Sequence, residues 1–159
     1  MVKVLFVCLG NICRSPTADG IFRELVKREK LDQTLFVDSA GTADWHVGKM
    51  PDLRTVAAAK QRGYDLSVLR ARQVTKADFD EFDYILAMDH ANLRELQAMK
   101  PAHFSGHLGL FLEFGSNNEY CEVPDPYYGG NDGFELVLDL VEEAAQGLLG
   151  QVRKNPAVF

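Results

Sequence analysis

The stretch from Val4 to Pro16, VLFVCLGNICRSP, constrains this chain most. It is an apolar run that stops at Cys8, crosses a short glycine-bearing loop and restarts at Ser-Pro. That pattern reads as strand, loop, helix. Ser15 is a preferred N-cap and Pro16 suits the first helical position, so the helix is expected to begin there. Its unpaired N–H groups then point back at the loop and make an anion site.

The loop carries a thiol at its start and a guanidinium six residues later, with Leu9, Gly10, Asn11, Ile12 and Cys13 between them. A phosphate dianion fits such a ring: Arg14 grips two oxygens and the loop amides take others. A helix N-terminus and a nearby cation favour the thiolate form of a cysteine, which is the nucleophile. Cys8 therefore reads as a nucleophile placed under a bound phosphorus. The competing reading is a buried strand-end cysteine that only packs. The Gly-Asn loop and the Ser-Pro helix start favour the first.

Further along, Ala18, Ile21, Phe22, Leu25 and Val26 recur at helical spacing. A second strand is expected over Leu35 to Ala40, broken by Gly41. An aperiodic loop from Thr42 to Gly48 follows, holding the only tryptophan, Trp45. A helix starting at Pro51 and Asp52 ends near Gly63, Leu66 to Gln73 is loop, and Thr75 and Asp78 cap a short helix ending near Phe82. Tyr84 to Met88 reads as a third strand, Asp89 caps a helix that Pro101 stops, and His107 to Phe114 reads as a fourth strand. After the Asp125-Pro-Tyr-Tyr segment comes the longest helix, with Phe134, Val137, Leu138, Val141, Ala145, Leu148 and Val152 on one stripe. Alternating strands and helices predict an α/β sandwich around a parallel sheet, with ligands bound beyond the carboxyl ends of the strands.

At 159 residues, 47% apolar and 25% charged, the chain fits one domain spanning residues 1–159. No run approaches the length of a membrane span, and the start lacks a signal-peptide pattern. An odd count of three cysteines argues for a reducing compartment, so the cytoplasm is the expected location. Net charge is −6, and nine acidic residues but no Lys or Arg occur between Lys100 and Arg153, which argues against non-specific nucleic-acid binding. No Cys/His grouping has zinc spacing, and neither metal nor cofactor is expected.

The CLGNICRSP segment from Cys8, together with DPYY from Asp125, resembles the low-molecular-weight protein tyrosine phosphatases, and the likeness covers essentially the whole chain. The resemblance implies a four-stranded, flavodoxin-like parallel sheet in a three-layer sandwich. It implies that Cys8 is the nucleophile, that Arg14 and the loop bind phosphate, and that Asp125, flanked by Pro124 and Pro126, is the general acid and then the general base. Without it, a turn-forming Asp in a Pro/Gly-rich loop is an equal reading of Asp125.

The same resemblance implies that the Ser15 hydroxyl bonds the Cys8 thiolate and that Asn11 braces the loop with Ser39 and a histidine. In this chain leucine stands at that histidine's place, Leu69, so part of the brace is absent or supplied by another group. Trp45, Tyr127 and Tyr128 are implied as walls of a deep cleft that phosphotyrosine spans and phosphoserine does not. Ile12 stands where phosphoarginine-preferring members carry threonine. Cys13 is implied to form a protective disulfide with oxidised Cys8; a small buried residue is the other reading. The implied partners are phosphotyrosine proteins, with a tyrosine kinase as one candidate, and the expected state is a monomer. The rivals are an arsenate reductase of the same fold, a non-catalytic phosphotyrosine-binding module and a thiol–disulfide exchange protein.

Overall fold

The computed structural model describes residues 1–116, 119–127 and 129–156. The first strand, β1 (Val2–Cys8), is followed by α1 (Arg14–Arg28), β2 (Leu35–Gly41), α2 (Leu53–Gln61) and the short α3 (Asp78–Glu81). Then come β3 (Tyr84–Ala87), α4 (His90–Met99), β4 (His107–Leu110), a 3-10 turn over Phe111–Phe114 and the long α5 (Asn131–Val152). The strands form one parallel sheet in the order β2-β1-β3-β4. This is the flavodoxin-like α/β fold.

β1 is apolar on both faces because it is central and covered on both sides. Val2, Val4, Phe6 and Cys8 join one core with α1 and α5, whereas Leu5 and Val7 join the other with Phe79, Phe82 and Leu96. The strand's two-residue period thus sorts its side chains into two cores, and three layers follow. Phe6 is fully buried with Phe22 and Phe111 edge-on at 5.8 and 5.0 Å. Burying one such side chain contributes about 1.5–3 kcal/mol.

Four sequence expectations need correction. β2 runs through Gly41 instead of being broken by it, and the N-cap of α3 is Ala77, with Asp78 inside the helix accepting the Thr75 amide. The fourth strand stops at Leu110, opposite Ala87, where its partner β3 ends. Beyond that point the buried Phe111 and Leu112 wind into a 3-10 turn instead. The first helix begins two residues early, at Arg14. Cys13, not Ser15, is its N-cap and makes no side-chain cap bond; its carbonyl accepts from the Thr17 amide and hydroxyl. Pro16 is tolerated because it still lies in the first turn, where its missing N–H had no helical partner.

The sheet order reverses direction between β1 and β3, so their carboxyl ends diverge and leave a crevice there. Cys8 is the last residue of β1 and pairs across to Gly41. A side chain at Gly41 would meet the Leu9 carbonyl at 2.7 Å, so the backbone of β2 needs glycine to pass this close to the loop.

Candidate active site

The loop after β1 is held from behind by its carbonyls. Cys8 O accepts from Thr42 N, Leu9 O from Ala43 N, and Ile12 O from Asp52 N, all within 2.8–2.9 Å. In a planar trans peptide the next N–H points the opposite way. With these carbonyls and that of Cys13 turned outward, the amides of Leu9, Gly10, Cys13 and Arg14 face the concave side. Concave amides of this kind form an anion nest.

Asn11 serves as both of its expected alternatives at once. Its φ is +57°, the left-handed conformation that Asn tolerates. Its side-chain amide also donates to Ser15 Oγ at 2.7 Å and Ser39 Oγ at 3.0 Å. Its carbonyl oxygen accepts the Arg72 backbone N–H at 3.0 Å. Leu69, at the place of that histidine, packs against the apolar core instead. The Arg72 backbone is in turn fixed by its side chain, which pairs with Asp38 and Asp78.

Ser15 Oγ lies 3.0 Å from Cys8 Sγ, and the Asn11 N–H reaches the same sulfur at 3.3 Å. Because Ser15 Oγ accepts from Asn11, its own proton is free for the sulfur; the alternative acceptor, Ala40 O, is farther at 3.4 Å. This explains why Ser15 is not a cap: its hydroxyl is drawn under the thiol. The sulfur is thus placed to receive two hydrogen bonds, from the Ser15 hydroxyl and the Asn11 N–H.

Arg14 is buried, 3% exposed. Its Nη1 bonds Asp89 Oδ2 at 2.6 Å and Val123 O at 3.2 Å, and its Nη2 lies 3.6 Å from Asp125 Oδ2. Burial by itself would lower its pKa, but Cys8, Asp89 and Asp125 outweigh burial and raise it above the ordinary value. The guanidinium is therefore a permanent cation with a fixed orientation.

These groups open into a cleft of about 270 Å³ lined by Cys8, Leu9, Gly10, Ile12, Cys13, Arg14, Trp45, His46, Asp125 and Tyr127. Cys8 is only 2% exposed, while Trp45 is 65% exposed. The thiol lies at the floor and the indole at the rim. Asn11, Ser15 and Ser39 stand behind the loop rather than in the cleft. Tyr128 lies outside the described residues.

Cys13 also lines a narrow crevice with Thr55 and Pro126. Burial pushes its thiol up to about 12; the Thr55 hydroxyl, the next largest influence, opposes it, and the negative groups at Asp52, Cys8 and Asp125 add to the rise. Cys8 and Cys13 are not bonded to each other. Among the described residues no His, Cys, Asp or Glu cluster could hold a metal ion, and no helix is long and apolar enough to cross a membrane.

Several contributors were not singled out from sequence. Asp89 was read only as a helix cap, yet its two oxygens do two jobs: Oδ1 accepts the Asn92 amide and Oδ2 holds Arg14. Its place just after the carboxyl end of β3 was the available signal. His46 and the Arg72 amide had none, since only the folded chain brings them to the loop.

Comparison with known proteins identifies the family. The model of the low molecular weight phosphotyrosine protein phosphatase family matches residues 3–158. The chain is 41% identical over 155 residues to the low molecular weight protein-tyrosine-phosphatase YfkJ of Bacillus subtilis, covering 98% of each. Its structure is similar to a protein tyrosine phosphatase from Entamoeba histolytica at a TM-score of 0.93 and 39% identity, covering 97% of this chain and 98% of that one. It is also similar to a Drosophila arginine phosphatase at a TM-score of 0.90 and 36% identity, over 98% and 99% of the two chains. By family match, identity and coverage together, this chain belongs to the low molecular weight phosphotyrosine protein phosphatase family.

Proposed function

We infer that this chain, as one domain, is a protein tyrosine phosphatase that hydrolyses phosphotyrosine and small aryl phosphates through a cysteinyl-phosphate intermediate. The observation that carries this is one cleft with the Cys8 sulfur at its floor, the Arg14 guanidinium beside it and the Asp125 carboxyl across from it.

The phosphate sits on the loop amides and Arg14. The Cys8 thiolate forms the S–P bond as the P–O bond to the tyrosine oxygen breaks, and Asp125 gives that oxygen its proton. Asp125, now a carboxylate, takes a proton from water as the water attacks phosphorus. The S–P bond breaks and inorganic phosphate leaves. The thiolate and the acid are both regenerated.

Trp45 at the rim and Tyr127 on the wall suit an aromatic stalk entering a deep slot. Ile12, also in the lining, leaves no hydroxyl there for a guanidinium-linked phosphate. Rates on phosphotyrosine, phosphoserine, phosphoarginine and arsenate test the reading together. Phosphotyrosine is expected to lead by at least about tenfold. Phosphoarginine ahead of phosphotyrosine overturns the substrate assignment, and thiol-dependent arsenate reduction without phosphatase turnover overturns the reaction. No turnover of any phosphate would leave a binding module or a thiol–disulfide exchange protein, the latter read by insulin reduction.

The reading extends to a cytoplasmic monomer acting on phosphotyrosine proteins, with a tyrosine kinase as one candidate. The odd cysteine count suits a reducing compartment, and a net charge of −6 favours a dispersed monomer.

It also includes redox control. Peroxide converts the Cys8 thiolate to a sulfenic acid; the Cys13 thiol then displaces hydroxide, forming a disulfide and releasing water. The attacking species is the Cys13 thiolate, scarce when the thiol titrates at about 12. Disulfide closure is therefore expected to speed up about tenfold per pH unit across neutral pH. Wild type is expected to recover activity with dithiothreitol after peroxide, and Cys13→Ser is not. Equal recovery of both would remove Cys13 from the role.

A further inference from the structure

We propose that Arg54, outside the phosphate loop and not lining the cleft, is a positioning residue that orients Asp125 for proton transfer. Arg54 is the second residue of α2 and is half exposed. Its guanidinium nonetheless makes a dense set of contacts. Its Nε and Nη2 meet the two carboxylate oxygens of Asp52 at 3.1 and 3.0 Å. Nη2 also donates to the Tyr127 carbonyl at 3.0 Å. The plane's centre lies 5.4 Å from the Tyr127 ring and 4.9 Å from the Phe134 ring, within cation–π range of both.

The consequence is mechanical. Tyr127 is the residue whose N–H holds Asp125 Oδ1 at 3.0 Å, so its amide fixes the carboxyl while its carbonyl is fixed by Arg54. Asp52 closes the circuit, because its own N–H donates to Ile12 O of the phosphate loop at 2.8 Å. The acid's segment and the phosphate cradle are thus tied to each other through one guanidinium, with α5 as a backstop at Phe134. A planar fork is needed for this: an ammonium cannot grip Asp52 at two points, reach the Tyr127 carbonyl and stack on two rings together.

The inference rests on Asp125 being the general acid, and the test separates the two claims. Values of kcat/KM are measured for p-nitrophenyl phosphate, whose leaving group needs little protonation, and for phenyl phosphate, whose leaving group needs much. The proteins are wild type, Arg54→Ala, Arg54→Lys, Asp125→Asn and the Arg54→Ala/Asp125→Asn double variant.

Arg54→Ala is expected to lower phenyl phosphate turnover about tenfold more than p-nitrophenyl phosphate turnover, a part of a full general-acid effect. Arg54→Lys is expected to do so less. Inhibition by inorganic phosphate should stay at the wild-type constant, and the double variant should match Asp125→Asn alone. Equal losses on both substrates, weakened phosphate inhibition, or a further loss in the double variant would each overturn the proposal. Wild-type selectivity in both Arg54 variants, beside a selective loss in Asp125→Asn, would overturn it alone. If Asp125→Asn shows no leaving-group dependence, the acid assignment falls and this inference falls with it.

Discussion

Cys8→Ser is expected to bring phosphate ester turnover down to background while inorganic phosphate still binds. The serine hydroxyl is essentially never ionised in this pH range, and among the described residues no histidine stands among the sulfur's hydrogen-bond partners to activate it, so the nucleophile is lost outright. The cradle is untouched by the change. The loop carbonyls keep their partners behind the loop, Asn11 keeps Ser39 and Arg72, and Arg14 keeps Asp89. Removing a negative sulfur from beneath a dianion also removes a repulsion, so phosphate is expected to bind as tightly as in wild type or more tightly. Turnover and phosphate binding, by inhibition in the wild type and calorimetry in the variant, check both halves. Turnover within tenfold of wild type would mean that Cys8 is not the nucleophile.

The first strand, its loop and α1 were legible because everything they need is contiguous. The apolar run, the Gly-Asn turn and the Ser-Pro start are local signals, and local signals survive folding. The one slip there is instructive. Ser15 has the right propensity for a cap, yet its hydroxyl is held between Asn11 and Cys8. Propensity is a weak prior, and a buried polar network outweighs it. The fourth strand was misjudged for another reason. Apolar residues from Leu110 to Leu112 have no two-residue alternation, and their fate was decided by how far β3 extends and by the Phe6 ring that Phe111 meets.

The supporting residues were illegible in a deeper sense. Arg72 sits 61 positions from Asn11, Asp89 sits 75 from Arg14, and Arg54 sits 73 from Tyr127. No spacing rule links such pairs; parallel crossovers bring them to one end of the sheet. Even the gap at Leu69 could be seen from sequence only as a gap. The Arg72 amide that holds Asn11 is a backbone group, and backbone groups are present at every position and so leave no mark in the sequence.

Asp125→Asn is expected to cost roughly 10²–10⁴-fold in kcat/KM for phenyl phosphate, about 3–5 kcal/mol of transition-state stabilisation. Asparagine is nearly isosteric and its carbonyl oxygen still accepts the Tyr127 amide, so the segment keeps its shape. It has no acidic proton to give to the departing oxygen. The loss therefore scales with how badly that oxygen needs the proton: severe for phenyl phosphate, smaller for p-nitrophenyl phosphate. The geometry adds a second signature. Asp125 Oδ2 lies 3.6 Å from Arg14 Nη2, so the carboxylate competes with phosphate for that guanidinium when the cleft is empty. Neutralising it removes a negative charge that repels a dianion, and phosphate inhibition is expected to tighten rather than weaken. A variant that loses both substrates equally, or binds phosphate less well, would show that Asp125 shapes the cleft and does not carry the proton.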